Sequence, residues 1–116
     1  MTIKRIDAGK RMSQAVVHNG VVYLAGQVAG KAKGGSVTEQ TKDILETIDG
    51  LLKAAGTDKS KLLQTQIFLP DISTFAEMNK VWEAWVSSGN VPARATIEAK
   101  LASPDYKVEI MVTAAR

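Results

Sequence analysis

The sequence predicts an α+β fold in which a β-sheet carries two helices on one of its faces. Short runs of β-branched or alternating apolar residues indicate strands, and two segments with apolar residues at 3.6-residue spacing indicate helices. Each helix separates two strands by the length of a crossover connection. The predicted order is therefore strand, strand, helix, strand, helix, strand, strand, within a single domain spanning residues 1–116.

The first third of the chain is predicted to form a β-hairpin. Asn19-Gly20 stands between the β-branched runs Ala15–His18 and 21–25, and both turn residues tolerate the positive φ that a tight turn needs. Residues 3–7 add a short edge strand. Gly26 follows the hairpin, where the missing side chain permits either a close backbone approach to a ligand or a bulge.

Two amphipathic helices follow. Ser36 and Glu39 have capping-box spacing, and the first helix ends at Gly56. Its apolar stripe consists of Ile44, Leu45, Ile48, Leu51, Leu52 and Ala55. The second helix starts near Asp71 or Ser73, either of which can cap it. Its apolar stripe consists of Phe75, Met78, Val81, Trp82, Trp85 and Val86.

Three alternating strands complete the predicted sheet. Residues 62–69 place on one face Leu63, Thr65, Ile67 and Leu69. Residues 94–101 place on the apolar face Ala95, Ile97, Ala99 and Leu101, and on the other face Arg94, Thr96, Glu98 and Lys100. Residues 106–115 place on the apolar face Val108, Ile110, Val112 and Ala114.

The sheet face away from the helices is predicted to be semi-polar. It carries Gln64, Gln66, Phe68, Thr96, Met111 and Thr113. Such a face suits a subunit interface with trapped water, which favours a homo-oligomer. A solvated face in a monomer is the alternative, because antiparallel sheets can face water on one side.

The amino-acid composition excludes several kinds of catalytic and metal site. A chain of 116 residues, 45% of them hydrophobic, fits one globular domain. The absence of cysteine excludes a disulfide framework, a thiolate metal site and a cysteine nucleophile. His18 is the one histidine, so a single chain has no multi-histidine metal site and only one imidazole base.

The distribution of charge and apolar residues argues against nucleic-acid and membrane partners. The net charge of +3 comes from 15 basic and 12 acidic residues that are interspersed, and only 5% of residues are aromatic. Nucleic-acid binding, which usually needs a basic stripe, is therefore not favoured. No apolar run reaches the roughly 20 residues of a membrane helix, and the first residues lack a signal-peptide pattern. We expect a cytoplasmic protein with no membrane partner.

Arg94 and Glu109 are the two side chains best suited to chemistry. Arg94 begins a strand directly after a proline-containing segment, and its guanidinium suits bidentate binding of a carboxylate. Glu109 lies on the non-core face of the last strand, where it can hold a water molecule or act as a general base. The alternatives are a surface arginine paired with an acid and a cross-strand ion pair between Glu109 and Lys100.

The separation of Arg94 and Glu109 depends on strand order. In a hairpin of the last two strands they lie about 20 Å apart, and with a strand between them they lie roughly 10 Å apart sideways. In both arrangements a joint site is easier to build from two subunits than from one. Asn79, within the second helix, and His18, beside the turn and expected to be exposed, carry no motif of their own, and a structural role is favoured for each.

The C-terminal third contains a distinctive run of residues. It reads Pro92-Ala93-Arg94-Ala95-Thr96-Ile97-Glu98-Ala99-Lys100-Leu101, followed by Val108-Glu109-Ile110. This run resembles the signature of the reactive-intermediate deaminase family (RidA/YjgF). The resemblance extends over the whole chain, with YLAGQV at 23–28 and FAEMNKVW at 75–82, and it is strongest to the YoaB-like branch.

The resemblance implies a chorismate-mutase-like fold that forms a homotrimer with three clefts between subunits. It implies hydrolysis of 2-imino acids, or their enamine tautomers, to 2-keto acids and ammonia without a cofactor. Arg94 then corresponds to the arginine that binds the substrate carboxylate, Glu109 to the glutamate that positions the water, and Asn79 to an asparagine that lines the cleft. We count Gly26 and Thr96 among the candidate substrate-binding residues.

The chain departs from the family pattern at three places. Met12 or Ser13 stands where many members carry a tyrosine, Ala25 where many carry a serine, and Thr96 where a cysteine is common. A non-catalytic module that binds a small carboxylate metabolite or a protein partner at the same clefts is therefore an open alternative. A ribonuclease or translation inhibitor is less favoured, because the sequence has no basic stripe and little beyond His18 for acid–base catalysis.

Overall fold

A computed structural model describes residues 2–116, and within that range the elements follow the predicted order with one addition. The strands are β1 (Lys4–Ile6), β2 (Ala15–His18), β3 (Val21–Leu24), β4 (Gln27–Val28), β5 (Leu62–Leu69), β6 (Ala93–Glu98) and β7 (Glu109–Ala115). The helices are α1 (Val37–Ala54) and α2 (Phe75–Trp85), with 3₁₀ turns at Lys59–Lys61 and Ile72–Thr74. The addition is the two-residue strand β4.

The strands form one mixed sheet in the order β1-β2-β3-β7-β5-β6. β3 pairs with the C-terminal end of β7, and β4 pairs with its start, so the chain bends between β3 and β4 but stays beside the same neighbour. β5 and β6 are parallel, and the other pairs are antiparallel. Because β5 lies between β6 and β7, the last two strands do not form a hairpin.

Both helices pack on one face of the sheet, as predicted. The core between them contains Val22, Ile67, Ile110 and Val112 from the sheet, Ile44, Leu45, Ile48 and Leu52 from α1, and Met78 and Trp82 from α2. Burying an aliphatic side chain of this size contributes about 1.5–3 kcal/mol, so this layer is the main source of stability. None of the helices in the described residues is long and apolar enough to cross a membrane.

Local sequence signals set the ends of several elements. Asn19-Gly20 forms the predicted tight turn, with φ of 53° and 74°. The capping box at the start of α1 is complete, because Ser36 accepts from the Glu39 amide and Glu39 accepts from the Ser36 amide. Gly56, with φ of 83°, follows the last turn of α1 and donates its N–H to the carbonyl of Lys53.

The prediction for the faces of β6 was wrong. The pairs Thr65–Arg94 and Ile67–Thr96 put Arg94 and Thr96 on the helix face of the sheet, together with the buried side chains of β5. Ile97 lies on the open face and is 42% exposed. The alternation of apolar and polar residues along β6 is misleading because β6 is an edge strand. At this edge the charged residue Arg94, rather than an apolar residue, faces the helices. β6 also ends at Glu98, earlier than predicted.

Two other apolar residues lie outside the core that their pattern predicted. A β-bulge between Leu62 and Gln64 turns Leu62 inward and leaves Leu63 49% exposed. Phe75, at the start of α2, is 40% exposed. Its ring lies against the guanidinium of Arg94 rather than within the core. The open face therefore carries the predicted semi-polar side chains except Thr96.

Candidate functional site

The guanidinium of Arg94 is held by aromatic rings. Its Cζ lies 5.7 Å from the ring centre of Phe75 and 5.5 Å from that of Trp82, which is cation–π distance. Both rings belong to α2, and Arg94 reaches them from the neighbouring edge strand. Among residues 2–116 no side chain or carbonyl accepts a hydrogen bond from this guanidinium, so its N–H donors are free to bind an anion.

Burial and a nearby acid act in opposite directions on Arg94. Partial burial lowers the pKa of its guanidinium, and the negative charge of Glu83 raises it again. An arginine stays protonated at neutral pH in either case. Arg94 is therefore a permanent positive charge that is partly desolvated. Such a guanidinium attracts a carboxylate more strongly than a fully hydrated guanidinium does.

Asn79 and Thr96 lie on the same side of the molecule as Arg94. Asn79 is half-buried on α2, four residues after Phe75, so it shares the helix face that the guanidinium covers. Thr96 follows Arg94 by two residues on the same face of β6, and its buried hydroxyl has no hydrogen-bond partner within residues 2–116. These residues, Arg94, Asn79 and Thr96, are called the Arg94 half-site below.

Glu109 and Gly26 form a second group. Glu109 is the first residue of β7 and pairs with Val28, directly beyond the bend that contains Gly26. A Cβ atom on Gly26 would overlap the carboxylate oxygen Oε2 of Glu109 and lie 3.1 Å from its carboxyl carbon. A side chain at position 26 would force the Glu109 carboxylate to shift, so it is this carboxylate that approaches the backbone at Gly26 closely. We call this pair the Glu109 half-site.

The environment of Glu109 makes its carboxyl group a stronger base. Burial raises the pKa of Glu109, and no neighbouring charge opposes this effect. A carboxylate with a raised pKa accepts a proton from water more readily at neutral pH. The bend beside it is fixed by Gln27, whose buried amide donates to the side chain of Gln14 at 2.9 Å and to the carbonyl of Ala25 at 3.1 Å.

The two half-sites lie on opposite faces of the sheet. Arg94 pairs with Thr65 on the helix face, whereas Glu109 pairs with Phe68 on the open face. They are two strand spacings apart sideways and three residues apart along the sheet, each about 10 Å. One small ligand therefore cannot touch both residues of a single chain.

Two neighbouring cavities lie away from Arg94 and Glu109. These cavities, of about 360 and 490 Å³, share Pro70, Pro104 and Tyr106, and neither is lined by Arg94 or Glu109.

His18 and metal binding offer no alternative centre. His18 is half-buried rather than exposed, and its Nε2 lies 3.1 Å from the side-chain nitrogen of Asn19. Within residues 2–116, no carboxylate is hydrogen-bonded to the ring to orient it as a general base requires. Within residues 2–116, no three histidine, aspartate or glutamate side chains are grouped as ligands for a metal ion.

Sequence reasoning missed the residues that support the charged groups. Phe75 and Trp82 were assigned to the core stripe of α2, and their contact with Arg94 depends on the true face of β6. Gln40, a polar residue four positions before Ile44 on the apolar side of α1, is fully buried. A polar residue within an apolar stripe was the one available signal for it, since a buried amide needs hydrogen-bond partners.

The fold, a mixed sheet with two helices on one face, is that of an α+β protein family. The sequence model of the Endoribonuclease L-PSP family matches residues 2–116, and the chain belongs to this family. The RutC family protein YoaB of Escherichia coli is 45% identical to it, over 99% of both chains. The resemblance to the YoaB-like branch is thereby confirmed.

A solved structure and a named enzyme extend the comparison. A member of the YjgF protein family from Neisseria meningitidis superimposes with a TM-score of 0.96 at 43% identity, covering 100% of this chain and 96% of that one. The human 2-iminobutanoate/2-iminopropanoate deaminase is 32% identical over 88% of this chain and 77% of its own length. The expected mixed α+β fold with two helices on one sheet face is confirmed.

Proposed function

We propose that this chain is a hydrolase of the 2-iminobutanoate/2-iminopropanoate deaminase type, which converts reactive 2-imino acids to 2-keto acids and ammonia. The observation that carries the proposal is the division of charge: a cationic group with free donors and a desolvated carboxylate on opposite sheet faces. A 2-imino acid has a carboxylate for the first and an electrophilic carbon for a water held by the second. The relatives named as deaminases support this choice of substrate.

In the proposed reaction, Arg94 binds the substrate carboxylate and Asn79 and Thr96 complete its surroundings. Glu109 takes a proton from water while the water oxygen bonds to C2 of the iminium and the C=N π electrons move to nitrogen. Glu109 then returns the proton to nitrogen, and as the C–N bond breaks it takes up the proton of the hydroxyl, which becomes the carbonyl of the 2-keto acid. The released ammonia accepts that proton and leaves as ammonium, so that Glu109 is again a carboxylate. Orientation and one base are sufficient, because an iminium carbon is already electrophilic, and no cofactor is required.

The site is proposed to lie between subunits of a homotrimer. One chain supplies the Arg94 half-site, and its neighbour turns its open face, with the Glu109 half-site, toward it. The semi-polar open face provides the surface for such an assembly. The substrate and the product bound in this site are then small carboxylates. A cytoplasmic location of the protein remains a prediction.

A direct assay tests the proposal. An amino-acid oxidase generates imines in situ from a panel of small amino acids, and the release of 2-keto acid is followed with and without the protein. The wild-type chain is expected to accelerate release, and Arg94→Lys to abolish most of the acceleration, because lysine lacks the bidentate fork. A wild-type rate equal to the uncatalysed rate across the panel would reject the activity.

Titration calorimetry separates catalysis from simple binding. A non-catalytic module for carboxylate metabolites predicts Arg94-dependent binding of 2-oxobutyrate without any acceleration of imine hydrolysis. The deaminase predicts both. The ribonuclease alternative predicts neither, and it would require RNA cleavage that survives Arg94→Lys.

A further inference from the structure

Gln40 is a buried amide on α1 that bonds to the backbone of two loops. Its Nε2 donates to the carbonyl of Asp105 at 2.8 Å and to that of Gly35 at 3.2 Å, and its Oε1 accepts from the amide of Lys107 at 2.8 Å. The Gly34 amide adds a bond to the Asp105 carbonyl at 3.2 Å. The side chain therefore uses both donors and its acceptor, as a fully buried amide must.

The hydrogen bonds from Gln40 hold a segment of the chain that has no neighbouring strand to pair with. Residues 99–108 connect β6 to β7 without regular secondary structure. Gln40 bonds to the carbonyl of Asp105 and the amide of Lys107, the backbone groups on either side of Tyr106. A neighbouring strand would bond to the same groups, so one side chain fixes the path of this segment.

The segment leads directly to Glu109. Lys107 precedes Glu109 by two residues, and Glu109 is the first residue of β7, where pairing starts. Strand ends are the places where pairing loosens first. The Glu109 carboxylate lies against the backbone at Gly26, in the space that a Cβ atom at that position would fill. A small shift in the approach of β7 therefore displaces the carboxylate.

We propose that Gln40 is a positioning residue for the Glu109 carboxylate, acting through the backbone of residues 105–107. In the context of the proposed deaminase, on which this inference rests, Gln40 controls the placement of the water that Glu109 holds. It has no part in binding the substrate carboxylate, because its side chain is fully buried and its polar groups are taken up by the backbone of Gly35, Asp105 and Lys107.

The experiment uses two variants of the full chain that lose one buried polar group each. Gln40→Met keeps the length of the side chain and removes its hydrogen bonds. The matched control is Thr41→Val, because Thr41 is equally buried on α1 and its hydroxyl donates only to the carbonyl of Val37 within the helix. Urea unfolding measures the loss of stability in each variant.

Two measurements then separate positioning from stability. Carbon-13 NMR titration of the Glu109 carboxyl is expected to show its pKa falling toward that of an ordinary glutamate in Gln40→Met, because the loosened carboxylate gains water, and staying unchanged in Thr41→Val. In the imine assay, Gln40→Met is expected to lower kcat by on the order of tenfold with little change in KM. Thr41→Val is expected to leave both constants unchanged.

The outcomes decide the inference whether or not the chain proves to be a deaminase. Equal pKa values of Glu109 in wild type and Gln40→Met would overturn the positioning role. If the wild type does not hydrolyse imines, the proposed function fails while the NMR comparison still judges Gln40. If Gln40→Met does not fold, hydrogen exchange of the wild-type Lys107 amide decides. Exchange as slow as that of the β7 amides supports the fixing of this segment by Gln40, and exchange at a solvent-exposed rate refutes it.

Discussion

The Arg94 and Glu109 half-sites stabilise their charged groups in opposite ways. Arg94 lies against the rings of Phe75 and Trp82, which attract a cation without using its hydrogen-bond donors. Glu109 lies in a tight backbone bend beside Gly26, where burial disfavours its charge and nothing compensates. These environments suit the Arg94 half-site to binding an anion and the Glu109 half-site to taking up a proton.

This difference also explains their division between two faces. A base with a raised pKa would lose that property if an arginine lay beside it, because an opposite charge lowers the pKa of a carboxylate. Within one chain the two groups lie on opposite faces, so Arg94 does not lower the pKa of Glu109. In the proposed site, which joins two chains, the substrate carboxylate would neutralise the charge of Arg94. The predictions below perturb one half at a time, from the largest expected effect to the smallest.

Arg94→Lys removes the bidentate donor and is expected to have the largest effect on ligand affinity. Lysine keeps the charge but not the planar fork, so affinity for 2-oxobutyrate should fall about 10- to 100-fold. Calorimetry measures the affinity, and the carbon-13 titration of Glu109 should give the wild-type pKa. Unchanged affinity would show that the ligand carboxylate does not bind at Arg94.

Gly26→Ala acts on the Glu109 half-site alone. The new methyl group would displace the carboxylate, and turnover of imines should fall by on the order of a hundredfold with little loss of 2-oxobutyrate binding. Gly50→Ala is the matched control, because nothing lies within 4 Å of a Cβ at that helical position. The control should retain activity and gain roughly 0.5–1 kcal/mol of stability. Full activity of Gly26→Ala would refute the crowding of Glu109.

Phe75→Leu tests the aromatic support of Arg94. Leucine keeps an apolar contact but loses the ring, so affinity for 2-oxobutyrate should fall only a few-fold, in line with about 0.5–1 kcal/mol for a cation–π contact near the surface. Phe75 is exposed enough that the variant should fold normally. A loss as large as that of Arg94→Lys would contradict a supporting role.

Glu109→Gln gives a smaller effect, on stability. The folded-state pKa of Glu109 is raised, so its contribution to stability is complete below the ordinary glutamate pKa of about 4.5 and is lost as pH rises through the folded value. Glutamine carries no charge to bury, and the variant should be more stable than wild type at neutral pH and equally stable at acidic pH. Urea unfolding at both pH values measures this, and a destabilised variant at neutral pH would contradict it.

The sequence was sufficient for the elements whose signals are local. The Asn19-Gly20 turn, the Ser36–Glu39 capping box and the buried face of β7 depend on neighbouring residues, and all three are correct. The face of β6 was predicted wrongly, because it depends on a parallel pairing with β5 that no local pattern encodes. The contact between Gly26 and Glu109 likewise joins residues far apart in the chain, so the sequence offered only the glycine as a signal.

The central claim is that a complete site needs two chains, and subunit complementation tests it most directly. Arg94→Ala and Glu109→Gln chains are each expected to be inactive when assembled alone. In the experiment the two chains are denatured, mixed in equal amounts and refolded together. Random assembly restores about one quarter of the sites, because each site takes one half from each of two chains. The account predicts recovery of about that fraction of wild-type activity. A mixture that stays inactive, although mass spectrometry shows mixed oligomers, would contradict it.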